Sequence, residues 1–389
     1  MRSPVLVLAL CASLAASSLA AQAPQAGATP PAFARAYALQ TAGEFAQAAE
    51  AYTAFLQQYP DNVEARSNLG VVLARLGRTD EAVAAYRAAL ERSPSQQAIR
   101  LNLGLALYKA ARFDEAAETF AAVVAAQPMN LQARYLQADC LLRLGKPEAV
   151  VAILEPVAAS RDADRVVAYL LGMAYLRTNQ PQRGQVLIDR ILSKGDSAEA
   201  RVLMGMAKRS VQDLAGGLED LKRAVELNPD LPGVHTLYGQ ALLETGNRDL
   251  AVRELEAEFA RNPTDFEANL LLGMLAKEDF AFDKARGHLQ RALVMRPGHL
   301  SVRFQLAAIH VSLGETEAAR TMLEAIAAEA PSFIEARVSL ATVYYRLKLR
   351  DLGDKERAVV DELNRQAQAR QPGAAPSLAQ PVPPATPPR

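Results

Sequence analysis

Seven prolines in this chain are evenly spaced: Pro60, Pro94 and Pro128, then, after a gap, Pro229, Pro263, Pro297 and Pro331. Successive separations are 34, 34, 101, 34, 34 and 34 residues, and 101 is three periods less one residue. A fixed period of this size marks a repeat array. Each unit of such an array packs mainly on its neighbours, so the chain is expected to offer a long surface and rarely a pocket with chemistry in it.

Small residues keep the same step. One column runs through Gly70, Gly104, Ala138, Gly172, Gly205, Gly239 and Gly273, and a second through Ala48, Ala82, Ala116, Val150, Gly184 and Gly217. Large apolar residues accompany them, as in Leu69 and Leu103 beside the first column and Tyr52, Tyr86 and Phe120 four residues after the second. Within a period the apolar positions recur at i, i+3, i+4 and i+7, which is a helical stripe. A breaker such as Gly77 or Gly145 separates two stripes by a gap fit only for a tight helix–helix turn. Each period therefore reads as one antiparallel helix pair. The Gly/Ala columns mark close helix approach, and the proline ends the second helix.

The order Leu69-Gly70, Leu73, Gly77, Ala82, Tyr86, Ala89, Pro94 resembles the tetratricopeptide repeat, a 34-residue helix–turn–helix unit. Units starting at Val63, Gln97, Phe266 and Leu300 follow the pattern closely, and the resemblance covers about ten units between roughly residues 29 and 366. The family's Trp is absent throughout. The resemblance implies an all-α, right-handed superhelical solenoid of antiparallel helix pairs, with the first helix of each pair lining a concave groove.

The ends differ from this body. Met1-Arg2, an apolar run from Pro4 to about Ala16, and Ser17-Ser18-Leu19-Ala20 follow the order of a secretory signal peptide, with cleavage expected before Ala21. The run is too short for a spanning helix, so the mature chain is expected to have no membrane span and to be periplasmic or secreted. An uncleaved anchor is the alternative. Residues 21–28 read as a linker, 29–369 as the solenoid, and 370–389, with prolines from Pro372 to Pro388, as a disordered tail. The charged segment Asp351–Arg365, with the stripe Leu352, Val359, Val360 and Leu363, reads as the polar cap of the last unit. After cleavage only Cys140 remains, which rules out an internal disulfide.

Lys+Arg and Asp+Glu balance at 43 each, which speaks against a nucleic-acid partner. The four histidines, His235, His288, His299 and His310, form no metal-ligand motif, and no nucleophile elbow or phosphate-binding loop occurs. No catalytic residue, cofactor or metal is expected, and the chain is read as a non-enzymatic scaffold.

Carrying the family's groove positions onto this sequence gives the candidate partner-binding residues. Leu101, Tyr135, Tyr169 and Phe304 stand at the fifth position of their units, and Leu105, Asp139, Met173 and Met206 at the ninth. Tyr108 stands at the twelfth, and Asn68 and Asn102 at the sixth, where they resemble two rungs of a ladder that fixes a bound peptide backbone. The set is more apolar than a solvated face, which suits either binding or burial between repeats. A further column, Arg66, Arg100, Arg134, Arg201, Arg303 and Arg337, reads as inter-repeat pairing with acidic neighbours.

The resulting expectation is a scaffold that holds a protein or peptide segment in its groove. The alternatives are an assembly subunit of a cell-envelope complex binding through its convex face or ends, and a carbohydrate-binding solenoid using Asp139 beside Tyr135. The fourth and fifth units, with Asp162 and Asp196 where proline is expected and one residue missing thereafter, are expected to form a bend or soft joint.

Overall fold

The computed structural model describes residues 30–158 and 165–369. The expected signal peptide, linker and tail, and Asp162, lie outside the described residues. Twenty helices and no strands occur among the described residues, giving ten antiparallel pairs. The first five pairs are α1 Pro31–Thr41 with α2 Phe45–Gln58, α3 Val63–Arg75 with α4 Thr79–Arg92, α5 Gln97–Lys109 with α6 Phe113–Ala126, α7 Leu131–Arg143 with α8 Pro147–Ala158, and α9 Arg165–Arg177 with α10 Pro181–Leu192. The remaining five are α11 Ala198–Ser210 with α12 Leu214–Leu227, α13 Val234–Glu244 with α14 Arg248–Arg261, α15 Phe266–Glu278 with α16 Phe282–Met295, α17 Leu300–Leu313 with α18 Thr316–Glu329, and α19 Ile334–Arg346 with α20 Arg350–Ala369.

Local chemistry sets these boundaries. Two residues after the periodic proline, Asn62, Asn130 and Asp265 accept a hydrogen bond from the backbone N–H three residues on, satisfying an orphan donor of the first helical turn. Between the helices of every pair one residue turns left-handed. Gly43, Gly77, Gly145, Gly246 and Gly314 hold that position in five pairs, and Ala111, Asn179, Gln212, Phe280 and Lys348 in the other five. The last five carry a side chain in a conformation that costs an L-residue roughly 1–2 kcal/mol.

The small-residue columns are the contact seams. A Cβ on Gly70 would stand 2.7 Å from the Tyr86 ring, and one on Gly104 would stand 2.5 Å from the Phe120 ring. Tyr86 and Phe120 are fully buried. The Tyr86 hydroxyl has no partner among the described residues. Gly205–Leu221, Gly239–Leu255 and Gly273–Leu289 repeat this arrangement.

The arginine column works differently from the expectation. Arg66, Arg100, Arg134 and Arg337 each donate to the carbonyl of the proline six residues earlier, tying the first helix to the end of the preceding second helix. Acidic partners occur at Arg201, with Asp196 and Asp220, at Arg303, with Glu329, and at Arg337, with Glu356. A proline cannot extend the helix and leaves its carbonyl open as an acceptor, which is why the arginine recurs at this offset.

The chain divides into two compact units, one reaching Leu272 with Val294–Arg296 added, the other comprising Gly273–Leu293 and the chain from Pro297 onward. In the first, a core from Phe33 to Cys140 is followed by one from Ala138 to Ala241. Helix α9 is buried on all sides from Val166 to Tyr175, as an all-round apolar sequence requires. The lost residue falls here: α10 has 12 residues where α4 has 14, and the connection 193–197 after it is one residue longer than 93–96 after α4, a net loss of one. The packing shifts with it, since a Cβ on Gly172 would meet Leu203 of the following pair at 2.7 Å and not the second helix of its own pair. In the second unit, Ala307, Leu323, Ile326, Leu340 and Val343 form the core. Helix α20 packs on α19, with Leu352 and Val359 left exposed.

Candidate binding cavity in the first unit

First helices of successive pairs pack on one another, as α3 does on α5, α7 on α9, and α9 on α11. That contact buries many residues expected on an open groove. Asn68 and Asn102 are buried, with Asn68 hydrogen-bonded to the Tyr52 hydroxyl, so neither presents an accessible rung to a peptide backbone. Leu105 is buried, and Leu101 and Tyr108 are half-buried against the first core. Tyr135 is half-buried beside the second core. Phe304 belongs to the other unit, where its ring lies 5.2 Å from that of Phe333. The expected set therefore does not form one surface.

Four of its members do converge. Asp139, Tyr169, Met173 and Met206 line a cavity of about 470 Å³ inside the first unit. A half-open space of this size is more concave than the long surface expected from the repeat. The walls come from α7, α9, α11, α13 and the start of α15. Tyr169 is 5% exposed and Met173 6%, so they form the floor, while Met206 and Gln240 are half-exposed.

Charged groups surround this floor, and most are paired. Arg143 donates to Asp139 at 2.8 Å, the Tyr108 hydroxyl donates to the same carboxylate oxygen at 2.5 Å, and the guanidinium lies over the Tyr108 and Phe113 rings. Burial opposes the Arg143 charge, but Asp139, Tyr108 and Asp265 together outweigh it and the group stays protonated. Asp139 is thereby held inside a protein network, which removes it from the role of free sugar-binding carboxylate beside Tyr135. Arg209 makes two bonds to Glu244. Asp265 accepts from Thr236 at 3.1 Å and from the Ala268 N–H.

One edge is strapped. Arg296 donates through Nε to the Arg143 carbonyl at 2.7 Å, stacks 3.8 Å from the Phe266 ring centre, and has Nη1 3.6 Å from Glu267. Burial pushes the Glu267 carboxyl up from its usual range, Arg296 pulls it back and Asp265 adds to the rise. Three polar groups on the cavity are less engaged. Arg177 bonds the Leu142 carbonyl at 3.2 Å and makes no ion pair within 4 Å among the described residues, although its charge acts on Glu267. The Gln240 amide and the Tyr169 hydroxyl also line the space, and neither makes a hydrogen bond among the described residues.

Sequence reasoning missed Arg143, Arg177 and Arg296, while Gln240 continues the ninth-position column of Leu105, Asp139, Met173 and Met206. Two signals were present. Arg75, Lys109, Arg143 and Arg177 form a basic column at the period, at the last position of four first helices. Arg296 is the one basic residue in the pre-proline column, which otherwise holds Tyr59, Ser93, Gln127, Asn228, Asn262 and Ala330. Among the described residues, no group of three His, Cys, Asp or Glu is placed to hold a metal ion, and no helix is long and apolar enough to cross a membrane.

Comparison with known proteins agrees on the architecture. One family model described as tetratricopeptide repeat matches residues 33–96, 101–155 and 237–299, and a second of the same description matches 276–349. Together they span more than half of the chain. No curated protein matches the sequence. Among solved structures, the Cut9–Hcn1 hetero-tetramer of the APC/C is similar at TM-score 0.54 and 15% identity, over 86% of this chain and 75% of that one. A tetratricopeptide repeat protein from Parabacteroides merdae has TM-score 0.47 and 15% identity, over 64% and 98% of the two chains. MamA has TM-score 0.39 and 23% identity, over 42% and 96%.

Proposed function

This chain belongs to the tetratricopeptide repeat family, and on that premise we propose that it is an exported, non-enzymatic scaffold that holds a segment of a partner protein in the cavity of its first unit. The observation that carries the reading is the convergence of Tyr169, Met173 and Met206 with Gln240 and Arg177 on one space of about 470 Å³. Methionine and tyrosine give adaptable apolar area with one polar handle, and the amide can pair with a peptide bond in either direction. A helix about 10–12 Å across would fill such a volume within roughly one turn, so the occupant is an extended segment or a few side chains. Export rests on the Met1–Ala20 pattern and places the work in the periplasm or outside the cell.

The burial of Tyr169 and Met173 dictates the test, because acidic residues there would unfold the unit. Met206→Glu/Gln240→Arg alters the half-exposed rim instead. Val186, 60% exposed on α10, supplies the control Val186→Glu. The full chain and both variants are used as bait in an envelope extract, with helicity checked. A protein captured by the parent and the control but lost by the rim variant supports the cavity. Capture by all three moves the interaction to the outer face or the ends of the array.

A further inference from the structure

The polar groups of the cavity differ in how far the protein itself satisfies them, and the remainder defines a ligand chemistry. The carboxylates are engaged: Asp139 by Arg143 and Tyr108, Asp265 by Thr236 and the first turn of α15, and Glu267 by Arg296. Arg143, Arg209 and Arg296 are correspondingly occupied. Arg177 alone among the cavity arginines makes no ion pair within 4 Å among the described residues, its charge reaching Glu267 only at longer range, and it is exposed. Burial first and Glu199 next push up the ionisation of the Tyr169 phenol, with Asp139 and Glu258 adding to the rise, and the Arg177 charge opposes them, so guanidinium and hydroxyl are electrostatic neighbours. That hydroxyl belongs to a side chain 95% buried, lines the space, and makes no hydrogen bond among the described residues.

A cation without a close ion pair, an unmatched phenol and an unmatched amide above a floor of Met173 and Leu170 call for a particular guest. Its anionic head must accept from a guanidinium and a hydroxyl, and its body must be apolar. We propose that the cavity is a binding site for a carboxylate carried on an apolar stem, with Arg177 as the anchoring cation and Tyr169 as the second donor. A planar carboxylate suits the fork of the guanidinium better than a point acceptor does. The volume lies in the range of small-ligand sites, about 300–1,000 Å³. The proposal rests on the reading of the cavity as the binding site. Two sources share the chemistry: a free organic acid, or an acidic side chain with apolar neighbours in a bound polypeptide.

The test is titration calorimetry on the full chain with matched probes. 4-Phenylbutyrate is compared with 4-phenyl-1-butanol, and the blocked tripeptide acetyl-Leu-Glu-Leu-amide with acetyl-Leu-Gln-Leu-amide. The expected result is about a tenfold to hundredfold preference for the acid in at least one pair, weakening with added salt. Arg177→Gln abolishes that preference, and Arg177→Lys, which keeps the charge without the fork, retains part of it. A preference in the first pair alone assigns the free acid, and one in the second assigns the polypeptide. Equal binding of acid and neutral forms by the parent, including no binding of either, overturns the proposal, as does a preference that survives Arg177→Gln. The two readings fail separately. Loss of partner capture by the Met206→Glu/Gln240→Arg variant without any acid preference leaves the scaffold reading standing alone. An Arg177-dependent acid preference with partner capture unchanged leaves the acid site standing alone.

Discussion

Glycine to alanine should have opposite effects at two helical positions of this chain. In a helix interior the substitution gains about 1 kcal/mol, because glycine loses more backbone freedom on folding. At Gly287 on α16 a Cβ would meet nothing nearer than the Arg291 guanidinium at 3.5 Å, so the full gain is expected. At Gly104 on α5 the new methyl would stand 2.5 Å from the Phe120 ring, which is fully buried and cannot swing away like the end of a long side chain. Overpacking of this kind costs about 1–3 kcal/mol. The balance predicts that Gly287→Ala stabilises by about 1 kcal/mol, while Gly104→Ala is neutral to destabilising by up to about 2 kcal/mol. Phe120→Leu in the Gly104→Ala background should recover stability relative to the sum of the single changes, with a coupling of about 1 kcal/mol. Urea unfolding followed by circular dichroism reads the parent and all four variants, including Phe120→Leu alone, provided the slopes agree. A clear stabilisation by Gly104→Ala, equal to that at Gly287, would refute the claim that this column is held small by contact.

Three further outcomes follow from particular groups. Phe280 sits at φ +58° with its ring 79% exposed, so Phe280→Gly should raise stability by about 1 kcal/mol in the same urea assay. Tyr86→Phe removes a buried hydroxyl that has no partner and should be neutral to stabilising by about 1 kcal/mol, whereas a loss above that would reveal a hidden partner. Glu258 is buried, and burial first, then Asp265, raise its pKa above the unfolded value of about 4.3. The folded state then holds the proton more tightly, so this group's contribution to stability falls as pH rises from the unfolded pKa through the folded one. Glu258→Gln keeps an acceptor for the Gly233 N–H and should be more stable than the parent at pH 8, with the advantage shrinking toward pH 4, as urea midpoints across pH will show.

The helices and their seams were legible because they are local or periodic. Helix starts at Val63, Gln97, Phe266 and Leu300 follow from the proline spacing, and Gly70 and Gly104 carry their packing role in their size. The cavity was legible only in part. Tyr169, Met173 and Met206 were found from their register on the first helices, but register does not report how closely successive first helices pack, and that distance decides burial. Arg177 stands in the periodic basic column with Arg75, Lys109 and Arg143, but the period does not report which of the four finds an acidic partner. Gln240 follows Met206 by one period in the same column, but register alone does not show that its amide is left without a bond. Phe280 runs against expectation outright, since a bulky residue occupies a position that glycine fills elsewhere.

The bond between Arg296 and the Arg143 carbonyl joins residues 153 positions apart. Arrays of near-identical units can change length by copying or dropping one, because each unit asks only for a suitable neighbour. Between these two residues that freedom ends. An added or deleted unit would carry the guanidinium away from its carbonyl by the thickness of a helix pair, and no adjustment within a single unit would bring it back. The stretch between them is thus counted as well as patterned, and variants of this chain that differ in length should differ outside it.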